Sequence, residues 1–555
     1  MKSIYQIIIL ALIITGFSTS CNKKIDEAYL NPNSPVKVPV EQLLPQVVSA
    51  MTANYGNHGP MNDARFTSMY IQYFASYTVS ATRNSSTTYE RMGGTVDGSD
   101  NAASIWRMHY YDVGQNAMKI IEWGTEEKKW DYVGVAQAIF AWSWLQLTDY
   151  HGEVILKDAF NTNLLTFKFD KEEDVYTYVR QLCFQSLENL NKTGDGVNQA
   201  NLALGDAFLY NGDVNKWKKF VYSILARSYN HLSNKSIYKP DSVIFYCDKA
   251  ITTNVDNAIA KYTATAGVGA NSNFYGPIRG TATTATGGLG SGFVVRQSAY
   301  ITNLMKGTNS AFPGVDDPRK WYMLRPSISG QFNGIPLNAG GVAIVTTNDR
   351  PESFWGTRYD SLVPPSNDSR ARYIFRNSSP MPILTASEVL FMKAEAAYRK
   401  GDKGTALSAY RKAIELNFDM LQNDYSTNVP TANLLTASIR DAFLANTAVV
   451  PVSSTDLTLS HIMLQKYIAL FGFGAIETWV DMRRYHYTDV KDGFQVYRDF
   501  APPSGTTLWP DNLDKLVYRV RYRFNAEYVW NIEELKRIGA DAIDWHTKET
   551  WFSKP

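Results

Sequence analysis

Cys21 is the residue whose position points most directly to a defined chemistry. An apolar run, residues 7–17, follows Lys2 and is followed by the small residues 18–20. A basic start, a short apolar stretch and small residues before a cleavage point are typical of a signal peptide. The run is too short to cross a membrane, which takes about 20 apolar residues. We predict a signal peptide over residues 1–20 and lipidation of Cys21 as the new N-terminus; the alternative is an ordinary signal peptide followed by an incidental cysteine.

Patterns for nucleophilic, phosphate or metal chemistry are incomplete. Residues 288–292 read Gly-Leu-Gly-Ser-Gly, which is the wrong register for the G-x-S-x-G turn that exposes a catalytic serine. Residues 401–405 lack the spacing of a phosphate-binding loop. The 7 histidines are scattered, and no H-E-x-x-H motif occurs. A pair of catalytic carboxylates stays open because its sequence spacing is arbitrary, but the sequence favours a binding protein without metal or cofactor.

A calcium-like alternation occurs at Asn211, Asp213 and Asn215. The twelfth position of such a loop needs a bidentate Glu, and here it is Tyr222. We therefore favour a loop that ends at a helix cap, Asp213, over a calcium site.

Composition excludes several classes of protein. The chain has 555 residues, with 55 Lys and Arg against 53 Asp and Glu, and this near balance argues against a nucleic-acid partner. With 34 Tyr, 26 Phe and 13 Trp, it is too aromatic to be disordered. Three cysteines cannot build a disulfide framework. Cys183 falls on an apolar helical stripe, which favours a buried free thiol, although pairing with Cys247 stays open.

The elements that must position any site are mostly helical in the first half. Apolar residues recur at helical spacing over 133–147, 175–190 and 217–232. Residues 262–300 are rich in Gly, Thr, Ala and Asn without an apolar period, which predicts loop. Loop, with short strands, continues to about 380.

Helical periodicity returns at Ser387. Two apolar stripes joined by the turn 401–404 predict one tetratricopeptide-like helical hairpin. A further long helix is predicted from about Ser460 to Arg484. The predicted fold is mainly α, with a loop-rich insertion over about 255–380.

Several separated motifs occur in one order along the chain. In the first half they are Cys21 with Asn31-Pro-Asn-Ser-Pro35 and Glu41-Gln-Leu-Leu-Pro45, Leu147-Thr-Asp-Tyr150 with Gly152-Glu-Val154, Asp206-Ala-Phe-Leu-Tyr-Asn-Gly-Asp213, and Lys216-Trp-Lys-Lys-Phe220. In the second half they are Asp317-Pro-Arg319, Asn333-Gly-Ile-Pro336, Pro382-Ile-Leu-Thr-Ala-Ser-Glu388 with Ala394-Glu-Ala-Ala397, Gln465-Lys466, Trp479 and Arg483-Arg484. Together they resemble the SusD/RagB-like outer-membrane lipoproteins of Bacteroidetes, in the branch called SusD-like 2. Residues 516–523 depart from the family pattern, and Asn525, Glu527 and Asn531 are interpreted as its remnant.

The resemblance implies a single SusD-like domain over residues 41–555, in which tetratricopeptide-like helical hairpins pack against an irregular loop-rich half. It implies a lipidated tether over residues 21–40 and a position on the cell surface in the outer membrane, anchored to lipid through Cys21. Members of this family are not enzymes. They cap a SusC-like TonB-dependent transporter and capture oligosaccharides, and in some members peptides.

The same resemblance directs the search for ligand residues to the irregular half, where aromatic residues lack helical spacing. Aromatic rings beside Asn and Arg are what a sugar platform needs, because sugar C–H faces pack on rings while polar groups bind the hydroxyls. The predicted ligand residues are Asn273, Phe274, Tyr275, Arg279, Trp355, Tyr359 and Tyr89, the last beside Arg91. The alternative for each is packing beneath a loop or against the transporter.

The residues of the motifs themselves are predicted to be structural. Trp217 and Trp479 lie on apolar stripes, and Arg483 and Arg484 are expected to bond helix ends through backbone carbonyls. Two other functions stay open beside the transporter lid: a helical scaffold for a protein partner, and a lipid-anchored glycan hydrolase.

Overall fold

The computed structural model describes residues 37–52, 59–77, 92, 102–263, 272–281, 295–358, 365–505 and 508–555. The predicted signal peptide, Cys21 and nearly all of the predicted tether lie outside these residues, and so do Tyr89, Arg91 and Tyr359.

The described residues form 18 α-helices and six short strands, which confirms the mainly α prediction. The first nine helices are α1 Val40–Ala50, α2 Pro60–Tyr70, α3 Ser104–Arg107, α4 Gly114–Glu126, α5 Trp130–His151, α6 Glu172–Asn189, α7 Gln199–Asp206, α8 Val214–Asn230 and α9 Pro240–Lys249. The others are α10 Pro277–Thr281, α11 Ala299–Met305, α12 Lys320–Met323, α13 Ala386–Lys400, α14 Lys403–Asp424, α15 Ala437–Leu444, α16 Leu459–Ala469, α17 Ala475–Arg484 and α18 Ile532–Ile538. Two π-helical turns, Met108–Val113 and Phe524–Tyr528, and several short 3₁₀-helices complete the helical part.

The strands pair in three small antiparallel sheets of two strands each. They are β1 Phe74–Ser76 with β3 Val295–Gln297, β2 Ala258–Ala260 with β4 Met381–Leu384, and β5 Val490–Lys491 with β6 Phe494–Gln495. The first two sheets join strands more than a hundred residues apart in sequence, so the loop-rich half is held to the helices through non-local pairing.

Helix α5 is the central element of the first half. Nearly all of its residues are buried, because α4 and α6 pack on it from two sides. A helix that is buried on nearly every side is expected at the centre of a large core. Gly134 lets α6 approach, since a Cβ there would lie 2.6 Å from Leu190 Cγ.

The predicted hairpin is formed by α13 and α14. Gly401 ends α13 with φ at 90°, a left-handed conformation that favours glycine. The Asp402 side chain then caps α14 by accepting from the Thr405 backbone N–H. The hairpin packs on α9 and α16.

The predicted single helix from Ser460 to Arg484 is wrong. The chain forms two helices, α16 and α17, because Gly472 between them takes φ at 82°. Ile374 fills the space beside Gly472, where a Cβ would meet its Cδ1 at 2.8 Å. The apolar period continues across this break, so periodicity alone gave no sign of it.

The loop-rich half is bonded to the hairpin through Arg319, from the Asp317-Pro-Arg319 motif. The buried Arg319 guanidinium donates to Asp317, to Asn417 of α14 and to Gln465 of α16, at 2.6–3.2 Å. Cys183 and Cys247 are buried free thiols. Across the described ranges, no helix has the length and apolar character that a membrane crossing requires.

Candidate functional site

The aromatic residues predicted near position 274 are core residues. The side chains of Asn273, Phe274 and Tyr275 are completely buried. The Asn273 amide donates to the Ser379 carbonyl at 2.9 Å, and the Tyr275 ring stacks on Phe375 with centroids 6.0 Å apart. The prediction of an exposed platform at these residues is therefore corrected: the loop turns its rings inward.

Trp355 and Arg279 lie in the same interior. The Trp355 indole N–H donates to the Tyr275 carbonyl at 2.8 Å, and both side chains are buried. They form no exposed ring face, which corrects the prediction for this pair too. An aromatic residue without helical spacing can still be buried when other loops pack over it. The spacing of residues in the sequence does not indicate whether such loops pack there.

The motif residues are structural, as predicted. Trp217 and Trp479 are fully buried. Arg483 donates to the carbonyls of Asp149 and Tyr518 at 2.7 and 2.8 Å. Arg484 differs from the prediction because its partners are side chains, the carboxylates of Glu395 and Asp481 and the hydroxyl of Ser233, rather than backbone carbonyls.

Elsewhere the structure forms a large open cleft, here called the aromatic cleft, with a volume of about 640 Å³. Helix α4 and the π-turn before it form one wall, and the loop 155–167 forms the other. Its lining residues are Trp106, Tyr110, Gln115, Asn116, Met118, Lys119, Glu122, Ile155, Ala159, Phe160, Asn161, Thr162, Leu164, Phe167 and Glu527.

The two walls are joined by Tyr110. Its hydroxyl donates to the Ile155 carbonyl at 2.7 Å and accepts from the Ile155 backbone N–H at 2.9 Å. The Tyr110 ring contacts Trp106 with centroids 4.8 Å apart and Phe160 at 6.0 Å. The aromatic lining is therefore fixed in orientation before any ligand arrives.

Phe160 reaches the cleft through an unusual backbone. Its φ is 63°, which is rare for a residue with a bulky side chain. The ring packs directly over Gly114, at the start of α4, where any Cβ would collide with it. A glycine at position 114 is thus required for the position of Phe160.

Polar side chains surround these rings. Gln115, Lys119, Asn161 and Thr162 are exposed along the cleft. Flat apolar faces beside amides, a hydroxyl and an ammonium suit a ligand that has both C–H faces and hydroxyl groups.

Glu527 is a buried residue in the lining of the cleft. Burial raises the pKa of its carboxyl to about 7, against a hydrogen bond from Asn531 that lowers it. The Asn531 amide also donates to the Phe167 carbonyl at 2.9 Å, and its oxygen accepts from the Phe167 N–H at 3.2 Å. Asn531 therefore holds the loop wall at Phe167. Near neutral pH, the carboxyl group of Glu527 can donate or accept a hydrogen bond.

Sequence reasoning missed this cleft, although a signal was present. Phe160-Asn161-Thr162 is an aromatic residue beside an amide and a hydroxyl in an aperiodic segment, the same pattern that led to Phe274 and Tyr275. Within the described residues, no group of three or more His, Cys, Asp or Glu side chains is placed to hold a metal ion.

Solved structures with a similar fold include SusD/RagB family proteins and chitin-binding proteins. A SusD/RagB family protein from Bacteroides thetaiotaomicron matches with a TM-score of 0.66 at 20% identity, covering 93% of this chain and 99% of that one. A chitin-binding protein matches with 0.65 at 20% identity, covering 93% and 100%. A chitin-binding SusD homologue from Flavobacterium johnsoniae matches with 0.61 at 16% identity, covering 93% and 98%. At these identities the likeness defines the class of fold.

The family itself follows from the sequence match. The family model SusD-like_2, described as starch-binding associating with outer membrane, matches residues 32–500. The chain belongs to this SusD-like family. A comparison with curated proteins finds no match.

Proposed function

We propose that this protein is a cell-surface lipoprotein that binds an oligosaccharide in the aromatic cleft and caps a SusC-like TonB-dependent transporter for uptake. The proposal is carried by one observation: a chain of the SusD-like family forms an open cleft of about 640 Å³ with fixed aromatic rings and exposed amides. Such a cleft is of the size and composition that small-ligand sites use.

The family and two solved neighbours support a carbohydrate as the ligand. The family description names starch, and two structures with the same fold are described as chitin-binding. An oligosaccharide satisfies the cleft because its pyranose faces pack on Tyr110, Phe160 and Phe167 while its hydroxyls meet Gln115 and Asn161.

The proposed position on the outer membrane rests on the predicted lipidation of Cys21 and on the family description. Binding without catalysis is part of the same proposal. A lid needs to hold its ligand and release it unchanged to the transporter.

The test is oligosaccharide binding by the full chain, measured by calorimetry with soluble starch and chitin oligosaccharides. Replacing Phe160 by Ala removes one aromatic face and is expected to weaken binding about tenfold, because such a contact stabilises by about 1 to 2 kcal/mol. The matched control is Phe184→Ala, which removes a half-exposed ring from α6, outside the cleft, and should bind as the wild type does.

Two outcomes would replace this proposal. Release of new reducing ends from the oligosaccharides would assign a hydrolase. Binding of a folded protein partner, together with no oligosaccharide affinity in any variant, would assign a helical scaffold. Equal oligosaccharide affinity of Phe160→Ala and wild type would remove the aromatic cleft from the site.

A further inference from the structure

A second cleft lies in the loop-rich half and is positively charged. Here called the arginine cleft, it has a volume of about 540 Å³ and is lined by Arg325, Arg370, Arg372, Glu352, Ile328 and Asn428 among others. Its residues come from segments that contribute nothing to the lining of the aromatic cleft. It is therefore a separate feature of the fold.

Both oxygens of the single carboxylate among the described lining residues accept hydrogen bonds from arginine side chains. Glu352 Oε2 accepts from Arg325 Nη2 at 2.9 Å, and Oε1 accepts from Arg370 Nη2 at 2.6 Å. Three guanidinium groups thus face one carboxylate. The described lining carries an excess of positive charge.

Within the described part of the chain, Arg372 pairs with backbone carbonyls rather than with a carboxylate. Its Nε donates to the Asn428 carbonyl at 2.8 Å and its Nη1 to the Trp321 carbonyl at 3.0 Å. Burial, together with the neighbouring Arg325 and Arg370 charges, lowers the pKa of Arg372 to about 10, although the Glu352 carboxylate acts in the opposite direction. The guanidinium remains charged at neutral pH, in a place where its charge is poorly compensated.

One donor atom of the Arg325 guanidinium is buried without a hydrogen-bond partner among the described residues. Its side chain is almost completely buried, and its Nε has no hydrogen-bond partner within the described part of the chain. A buried donor without a partner costs about 1 to 3 kcal/mol. The Arg325 Nε is closed off from solvent, so an oxyanion in the cleft would instead contact the exposed guanidinium of Arg370 and offset the excess charge.

The remaining lining suits a sugar. Ile328 is 49% exposed and offers an apolar surface, while Ser327, Ser369 and Asn428 offer hydroxyl and amide groups. Arginine is the side chain best shaped to bind a planar carboxylate or a sulfate through two parallel hydrogen bonds.

We propose that the arginine cleft is a subsite for the carboxylate or sulfate group of an acidic sugar, so that the ligand of this protein is an acidic oligosaccharide. This inference rests on the proposed function and names its substrate class. It adds a second contact region, outside the aromatic cleft, at which the charge of the ligand is recognised.

The experiment is calorimetry on the full chain with three probes: oligogalacturonate, which carries carboxylates; a carrageenan oligosaccharide, which carries sulfates; and a neutral chitin oligosaccharide. The wild type is expected to bind at least one acidic probe about tenfold more tightly than the neutral one, with an advantage that shrinks at high ionic strength. The two acidic probes distinguish a carboxylate ligand from a sulfate ligand.

Two variants test the site itself. Arg370→Gln removes a guanidinium whose side chain is 60% exposed, and should lower affinity for the acidic probe about tenfold while leaving neutral binding unchanged. Ser369→Glu places a carboxylate in the exposed rim and should remove the acidic preference as well. Lys412→Gln, an exposed charge of α14 paired with Glu415, is the control for net charge and should change neither affinity.

The outcomes separate this inference from the proposed function. Equal affinity of the wild type for neutral and acidic probes would overturn the proposed subsite and leave the proposed function intact. Unchanged affinity of Arg370→Gln for the acidic probe would do the same. No binding of any oligosaccharide would overturn both. Preference for an acidic peptide such as tetraglutamate, with no acidic sugar bound, would redirect the cleft to peptide capture.

Discussion

At the scale of single residues, the most unusual environment is that of His231, buried on the C-terminal side of α8. Its Nδ1 lies 3.2 Å from Asp149 Oδ2, and its Nε2 lies 3.1 Å from Glu477 Oε2. Desolvation lowers its pKa, but the two carboxylates outweigh it and raise the pKa to about 9. The imidazole is therefore charged in the folded protein at neutral pH.

This charge makes stability depend on pH. Because the folded pKa of about 9 exceeds the unfolded value of about 6.5, the contribution of His231 is complete below pH 6.5 and is lost as pH rises through 9. We expect His231→Gln to lower the free energy of unfolding by about 3 kcal/mol at pH 6, since the buried carboxylates of Asp149 and Glu477 then lose the cation that lies between them. The difference from wild type, measured by denaturant unfolding, should narrow toward pH 9. A difference that stays constant from pH 6 to pH 9 would show a neutral His231.

A second residue-scale prediction concerns Gly114. Gly114→Ala is expected to displace Phe160 and to cost about 1 to 3 kcal/mol of stability, because the new Cβ also meets the His109 carbonyl oxygen at 2.6 Å. Oligosaccharide affinity should fall together with stability. The matched control is Gly404→Ala in α14, where the Asp402 carboxylate at 3.8 Å is the nearest atom to the new Cβ. Unchanged affinity in Gly114→Ala would show that Phe160 is not a ligand contact.

At the scale of elements, the hydrogen bonds of the segment between α7 and α8 explain why the motif 206–213 begins and ends with an aspartate. Asp206 ends α7, and its carboxylate accepts from the Tyr210 N–H at 3.1 Å, the Gly212 N–H at 3.0 Å and the Trp217 indole N–H at 2.8 Å. One side chain thus closes the loop and orients the first turn of α8. Asp213 caps that helix by accepting from the backbone N–H of Asn215 and Lys216, as the sequence predicted.

We expect the two aspartates to contribute differently to the free energy of unfolding. Asp206→Ala leaves three buried donors without a partner and should lower the free energy of unfolding by about 3 kcal/mol or more. Asp213→Ala removes an N-cap and should cost about 1 kcal/mol. Thermal and denaturant unfolding of both variants checks the ranking. Equal costs would mean that the Asp206 carboxylate contributes no more than a simple cap.

At the scale of the whole molecule, we predict that a lipid on Cys21 anchors the protein to the membrane. Cys21→Ser is expected to abolish acylation, because the thioether to lipid needs the cysteine sulfur, and to move the protein from the membrane fraction to the soluble fraction. Mass spectrometry of the mature N-terminus and fractionation of cells measure both effects. Oligosaccharide affinity should stay unchanged, since residue 21 lies far in sequence from both clefts. Membrane retention of Cys21→Ser would indicate an ordinary signal peptide and another means of attachment.

Much of the helical scaffold was predictable because its physical signals are local. Helix α5, the α13–α14 hairpin with its turn at Gly401, and the cap at Asp213 each follow from apolar spacing or turn chemistry within about 20 residues. The motif order led in the same way to the family. The break between α16 and α17 was not predictable, since Gly472 adopts its left-handed conformation where Ile374, about a hundred residues earlier, packs beside it.

The sequence by itself determined the mainly helical character of the chain, several of its helices, the motifs that build the helix junctions and the family to which the chain belongs. Only the tertiary structure decided which aromatic residues face a ligand. Tyr275 is buried because Trp355 and Phe375 cover it, while Phe160 is accessible because Gly114 leaves room for its ring. The two clefts likewise exist only in the tertiary structure, since each is lined by segments that are distant in sequence. Burial depends on such long-range contacts, and no local spacing of residues encodes them.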